Sequence, residues 1–212
     1  WSVTGVQTCA LPISPRVGGL LVVLTLLLLL PAFPQRVAGA PVWAVLAASL
    51  PVLLLAAFDD LVHAVSARLR LAASFLTGVL FVLISDAAVT SIRLGPIDFF
   101  PVLPLVSGII TAFCFASMIN AFNLIDGVNG LSASVFILVM GAVIIVADHE
   151  RVHEVVPVAS LFASAAFGFL LLNYPRPYFF LGDCGAYLFG LTSTVLIVKL
   201  YSASTSKIGR AS

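Results

Sequence analysis

The chain's 212 residues are 61% hydrophobic and only 9% charged, with a formal net charge of +1 and a mean hydropathy of +1.19. Soluble domains carry about 25% charged residues, so the composition excludes an ordinary soluble domain, and a charge near zero offers no basic field for nucleic acid. Cys9, Cys114 and Cys184 show neither metal-site nor disulfide spacing, and Cys114, inside an apolar run, reads as a small packing residue.

The opening stretch "WSVTGVQTCALPIS" (1–14) is too polar and too short for a membrane span or a signal peptide. Residues 3–14 resemble the translation of a sequencing adapter, and "KIGRAS" (207–212) resembles another. Both ends are therefore expected to be artefacts around a natural segment of about 15–206. Apolar runs follow at 18–33, 42–58, 71–89, 102–119, 131–147, 155–172 and 186–200, the last of them short. A helix needs about 20 mostly apolar residues to cross the hydrocarbon core. Helices are the expected spanning element because lipid offers the backbone no partners, and no alternating segments suggest a barrel. The expectation is an all-α, polytopic membrane helix bundle of about seven transmembrane helices, with no soluble domain between them.

Consecutive spans alternate direction, so connections two spans apart share a side. "PRVGG" (15–19), "DDLVHAVSARLR" (59–70), "NAFNLIDGVNG" (120–130) and "NYPRPYFFLGDCG" (173–185) fall on one side. "PQRVAGAP" (34–41), "SIRLGPIDFFP" (91–101), "ADHERVHE" (147–154) and the end of the chain fall on the other. Every compact Asp/Asn/Gly cluster is thus expected on one membrane face. Arg16, Arg68, Arg70 and Arg176 on that side balance Arg36, Arg93, Arg151 and Lys199 on the other, so the positive-inside rule gives no orientation.

Asp59 and Asp60 close an apolar run. They either end a span or form a carboxylate pair facing a cavity, one binding a cation and the other acting as base or nucleophile. Like charges so close need a metal or a basic group beside them. Arg68 and Arg70 are candidates for that offset, for gripping a lipid phosphate, or for anchoring the next span in the headgroups. In "NAFNLIDGVNGL" (120–131), Asn120, Asn123 and Gly127 share a face if the helix continues, with Asp126 adjacent to it. Oxygen ligands of this kind suit Mg²⁺, which takes one or two carboxylates plus substrate phosphates. "DG" is also an ordinary turn signal, yet two Asn one turn apart at the apolar end of a span are costly groups that usually carry function. Asp183, between glycines in "LGDCG" (181–185), suits phosphate binding at a helix N-terminus or serves as an N-cap. His63, His149 and His153 do not form a metal set, and Asp86 is assigned no role.

Taken together, "PRVGGL", "FDD", "NAFNLIDGVNGL" and "FLGDCGAYLFG" resemble, in order and spacing, the polyprenyl-phosphate N-acetylhexosamine-1-phosphate transferases of glycosyltransferase family 4. The resemblance covers nearly all of residues 15–200. It implies a multi-pass enzyme of the bacterial inner membrane with its active site on the cytoplasmic face. The implied reaction joins undecaprenyl phosphate to the sugar-1-phosphate of a UDP-N-acetylhexosamine, with GlcNAc as the leading sugar, and releases UMP with Mg²⁺ required. By position, Asp59 and Asp60 match the family's aspartate pair, one implied as the base for the lipid phosphate. Asn123 and Asp183 match positions implied in Mg²⁺ binding, and Asp126 is implied as a further essential carboxylate near the nucleotide. Asn120, Arg68 and Gly127 complete the set as substrate-binding candidates, and a homodimer is left open.

The sequence departs from the family at Asn129, where many members have Asp, and at Ala186, where Ser is common. By the same resemblance the chain lacks a first span and everything after the seventh run, including a histidine-bearing loop, so the polypeptide as given is expected to be inactive. The competing class is an ion-coupled transporter, since intramembrane Asp and Asn with broken helices also mark such sites, but no internal repeat supports it. A purely structural membrane subunit does not account for acids gathered on one side.

Overall fold

The computed structural model describes residues 36–37, 40–62, 65–85, 87–90, 92–94, 97–99, 103–175 and 180–211. The expected span at 18–33, the adapter-like segment 1–14, and Cys9, His63 and Asp86 lie outside the described residues. An antiparallel ribbon of β1 (Arg36–Val37) and β2 (Ala40–Pro41) leads into α1 (Val42–Val62). Helix α2 (Ala67–Ile84) is followed by a second ribbon, β3 (Ile92–Leu94) with β4 (Ile97–Phe99). Then come α3 (Pro104–Ile125), α4 (Leu131–His149), a 3-10 turn (His153–Val155), α5 (Val156–Asn173) and α6 (Gly182–Ala211). Among the described residues, 6 helices are long and apolar enough to cross a membrane. The described chain is therefore an all-helical membrane bundle, with its short ribbons confined to connections.

Local chemistry sets the helix starts. Ser66 caps α2 by accepting the Leu69 N–H at 3.4 Å. Pro104 opens α3 where its missing N–H is no loss. Helix α4 is entered through Gly130 at φ 76°, and a Cβ there would also approach Leu170 Cδ1 to 3.0 Å.

The helices differ from the apolar runs in two instructive ways. Helix α1 does not stop at residue 58 but continues through Asp59 and Asp60 to Val62, because both acids find partners on neighbouring helices. The run expected to be short, 186–200, is the core of the longest helix, α6, with 30 residues. Its span is 83% buried, against 22–39% for the other five, and its hydropathy of 1.4 is the lowest of the set. A helix enclosed by protein needs no apolar surface for lipid, so Thr192, Ser193 and Thr194 are tolerated there, all buried.

Helix α6 packs against α1, α3 and α4. Small residues permit the close crossings that hold helices together in lipid, where apolar burial alone does not distinguish neighbour from solvent. A Cβ on Gly190 of α6 would lie 2.5 Å from Ile119 Cα and 2.8 Å from the Met118 carbonyl oxygen of α3. A Cβ on Gly78 of α2 would lie 2.6 Å from Ala112 Cα of α3. Phe136 of α4 stacks on Phe189 of α6 with centroids 4.1 Å apart, and Phe122 of α3 sits edge-on to both at 5.9 and 6.3 Å. These contacts fix α3 and α6 against each other, and these two helices carry Asn123 and Asp183.

Candidate active site

Helices α1, α2, α3 and α6 bring polar residues together at one end of the bundle. Arg70, near the start of α2, reaches Asp59 of α1 through Nη2 at 2.7 Å and Asp183 of α6 through Nη1 at 3.3 Å. Asn123 of α3 donates from Nδ2 to Asp183 Oδ1 at 2.9 Å. Asp59 Oδ1 accepts the Val65 N–H at 3.0 Å, which ties the residue just ahead of the α2 cap to the end of α1. Arg70 Nη2 also donates to the Val65 carbonyl at 3.2 Å. Asp59 is only 3% exposed, and the Arg70 guanidinium is its ion-pair partner in that buried setting.

Asp60 does something different from its neighbour. Its Oδ1 accepts the Asp183 N–H at 2.8 Å and its Oδ2 accepts the Cys184 N–H at 3.0 Å. These are first-turn amides of α6, which have no carbonyl partner within their own helix. Asp183 is therefore not the N-cap of α6. The cap comes from another helix, and the Asp183 side chain is left to hold Asn123 and Arg70.

The stretch 120–131 divides by the end of α3. Asn120 donates to Ser74 Oγ of α2 at 3.3 Å and to its own helix at the Ala116 carbonyl, 2.7 Å. Helix α3 ends at Ile125 with Asp126 as its half-buried C-cap, so the expectation that Gly127 shares the Asn120–Asn123 face does not hold. The Asp-Gly turn stops the helix two residues short of Gly127, which is exposed in the loop. Asn129 is exposed and ties that loop to the end of α5, donating to the carbonyls of Asn173 at 3.0 Å and Pro175 at 3.2 Å.

Arg68 is exposed and stands outside the network, whereas Arg70 occupies its centre. The signal that separates them was present in the sequence. Arg70, Ser74, Thr77, Gly78 and Phe81 recur at helical spacing, and the last four are the buried residues of α2. Arg68, two positions away, lies on the other side of the helix. His149, the last residue of α4, and His153, in the 3-10 turn after it, are both exposed, and His153 lies 3.9 Å from Asp148.

Among the described residues no three His, Cys, Asp or Glu side chains close on a common metal position. The donor set still suits a hard cation of the Mg²⁺ type. Asp183 supplies a carboxylate and Asn123 an amide that turns its Nδ2 toward Asp183 Oδ1, and carboxylates outnumber the one guanidinium in the cluster. Mg²⁺ typically binds through one or two carboxylates, waters and substrate phosphate oxygens.

Comparison with known proteins places the chain in a family. The sequence model for glycosyl transferase family 4 matches residues 42–201. The phospho-N-acetylmuramoyl-pentapeptide-transferase of Clostridium acetobutylicum is 31% identical over 118 residues, 51% of this chain and 37% of that protein. The undecaprenyl-phosphate alpha-N-acetylglucosaminyl 1-phosphate transferase of Thermotoga maritima is 26% identical over 144 residues, 67% of this chain and 40% of that protein. A probable undecaprenyl-phosphate N-acetylglucosaminyl 1-phosphate transferase of Bacillus subtilis is 26% identical over 97 residues, 45% of this chain and 27% of that protein. The matches therefore span well under half the length of these relatives. The family match runs from the first residue of α1 to well inside α6 and includes every residue of the polar cluster, so the chain belongs to glycosyl transferase family 4.

Proposed function

We propose that this polar cluster is the active site of a transferase that moves a HexNAc-1-phosphate, GlcNAc-1-phosphate first among the candidates, from a UDP-sugar to undecaprenyl phosphate. The product would be a lipid-linked sugar pyrophosphate for cell-envelope polysaccharide, made at the cytoplasmic face of a bacterial inner membrane. The observation that carries the reading is the Asp59–Arg70–Asp183–Asn123 chain of contacts, built from four helices inside the family-matched stretch. The relatives' names support the substrate classes.

In the proposed reaction an oxygen of the lipid phosphate attacks the sugar-bearing phosphorus of the UDP-sugar. A phosphorus–oxygen bond forms to the lipid as the bond to UMP breaks, and UMP leaves with the electron pair. Asp59 takes or orients the proton of the lipid phosphate. Its oxygens are held by Val65 and Arg70 and it is 3% exposed, which favours handling a proton over attacking phosphorus itself. Arg70 offers a guanidinium to phosphate oxygens. Asn123 and Asp183 are the residues that would hold Mg²⁺. A bound Mg²⁺ would screen the repulsion between the two phosphates and the charge developing on UMP. Asp126, with Asn120, Gly127 and the exposed Arg68, lines the approach of the nucleotide-sugar and lipid in this reading.

The test uses the full reading frame that carries this chain, purified and reconstituted with undecaprenyl phosphate and radiolabelled UDP-GlcNAc. The reading expects label in the organic phase and stoichiometric UMP. Label accumulated inside vesicles, with no lipid-linked product, favours the transporter alternative instead. The continuous helices described here give that alternative no discontinuous span to work with. The 212-residue chain alone is expected to release no UMP, and turnover by it would refute that part of the proposal.

A further inference from the structure

We propose that Asp60 is a positioning residue of this site, setting the backbone of Asp183 from α1, while its neighbour Asp59 pairs with Arg70. Two adjacent carboxylates in one helical turn look interchangeable in sequence, but one pairs with a side chain and the other with backbone amides. Asp59 accepts the Val65 N–H at 3.0 Å and pairs with the Arg70 guanidinium at 2.7 Å. Asp60 spends both oxygens on two consecutive amides of α6, 2.8 and 3.0 Å away and more than a hundred residues on in the chain.

The consequence lies at Asp183. Gly182 enters α6 at φ 73°, a left-handed conformation that turns the chain sharply into the helix. The next residue must then direct one carboxylate oxygen at Asn123, 2.9 Å, and the other at Arg70, 3.3 Å. Both contacts depend on where the first turn of α6 begins, and Asp60 fixes that start from α1. The same two hydrogen bonds place a negative charge on the positive end of the α6 dipole. The two acids therefore tolerate each other through separate partners: a guanidinium for one and a helix N-terminus for the other.

This inference rests on the transferase reading only for the ligand that Asp183 would meet. The test measures amide hydrogen exchange at Asp183 and Cys184, and Mn²⁺ affinity, on the 212-residue chain in detergent. Wild type, Asp60→Asn, Asp60→Ala and Asp59→Asn are compared. Loss of a capping carboxylate is expected to speed exchange at both amides about 2–30-fold in Asp60→Ala. Asp60→Asn, which keeps one acceptor oxygen, falls between, and Mn²⁺ affinity follows the same order. Asp59→Asn leaves the two amides as protected as in wild type. Unchanged protection in Asp60→Ala overturns the proposal, as does Mn²⁺ affinity lost in Asp60→Asn with protection intact. A wild-type chain that binds no Mn²⁺ rejects the metal assignment of the functional reading, and exchange then decides the capping role alone. If Asp60→Ala does not fold, Asp60→Asn carries both measurements.

Discussion

Replacing Gly190 by alanine tests how the bundle holds its site. The added methyl would meet backbone on three sides: Ile119 Cα at 2.5 Å, the Met118 carbonyl oxygen at 2.8 Å and Ile119 N at 2.9 Å. Ordinary contact lies near 3.5 Å, so α3 and α6 must separate by about 1 Å at this crossing. Backbone cannot swing aside as a side-chain tip can. Overpacking of this kind costs about 1–3 kcal/mol, offset by up to about 1 kcal/mol from the better helix propensity of alanine. Against glycine-to-alanine controls that gain the same propensity the full loss of about 1–3 kcal/mol remains, a fall in Tm of about 2–12 °C for a chain of this size. Gly190 lies two turns, about 10 Å, along α6 from Asp183, and the separation is transmitted to the Asn123–Asp183 contact of 2.9 Å. Gly141→Ala and Gly168→Ala are the controls, since a Cβ at either meets nothing within 4 Å. Thermal unfolding in detergent by circular dichroism reads the outcome. A Gly190→Ala chain melting at or above the controls would refute the claim that the α3–α6 crossing is set by backbone contact.

The ion pairs give further expectations. Arg70→Met leaves Asp59, 3% exposed, without its cation, and is expected to destabilise by about 1–3 kcal/mol. Adding Asp59→Leu should restore a large part of that loss, whereas additive losses in the double variant would mean that the two do not interact. Asn129→Asp turns a donor into an acceptor opposite the carbonyls of Asn173 and Pro175. A loss of about 1 kcal/mol at this exposed site should appear as faster proteolysis of the 126–130 loop, and unchanged cleavage would show that the tie is dispensable.

Much of the fold was legible because a membrane span is a strong signal. The runs at 42–58, 131–147 and 155–172 each lie inside or nearly inside an observed helix. Where the reading missed, a partner from elsewhere in the chain decided the matter. Helix α1 runs on through Asp59 and Asp60 because α2 and α6 receive their charges. Helix α6 exceeds its apolar core because protein encloses it. For the site, span parity was enough to bring Asp59, Asp60, Asn123 and Asp183 to one face, and the contacts bear that out. Parity could not say which arginine faces inward, nor that the two aspartates serve different helices. Asn129, read in sequence only as a missing charge, turns out to clamp the α3–α4 loop with its amide, a role that depends on where α5 ends.

The central claim is that Asp183, held by Asn123, Arg70 and Asp60, is part of the machinery that transfers a phosphosugar. Exchange of radiolabelled UMP into UDP-GlcNAc by the reconstituted full reading frame tests it directly, with wild type and Asp183→Asn compared at matched folding by circular dichroism. The account predicts undecaprenyl-phosphate-dependent exchange in wild type and a loss of at least about 100-fold, roughly 2.7 kcal/mol of transition-state stabilisation, in Asp183→Asn. Exchange that survives the substitution undiminished would contradict it.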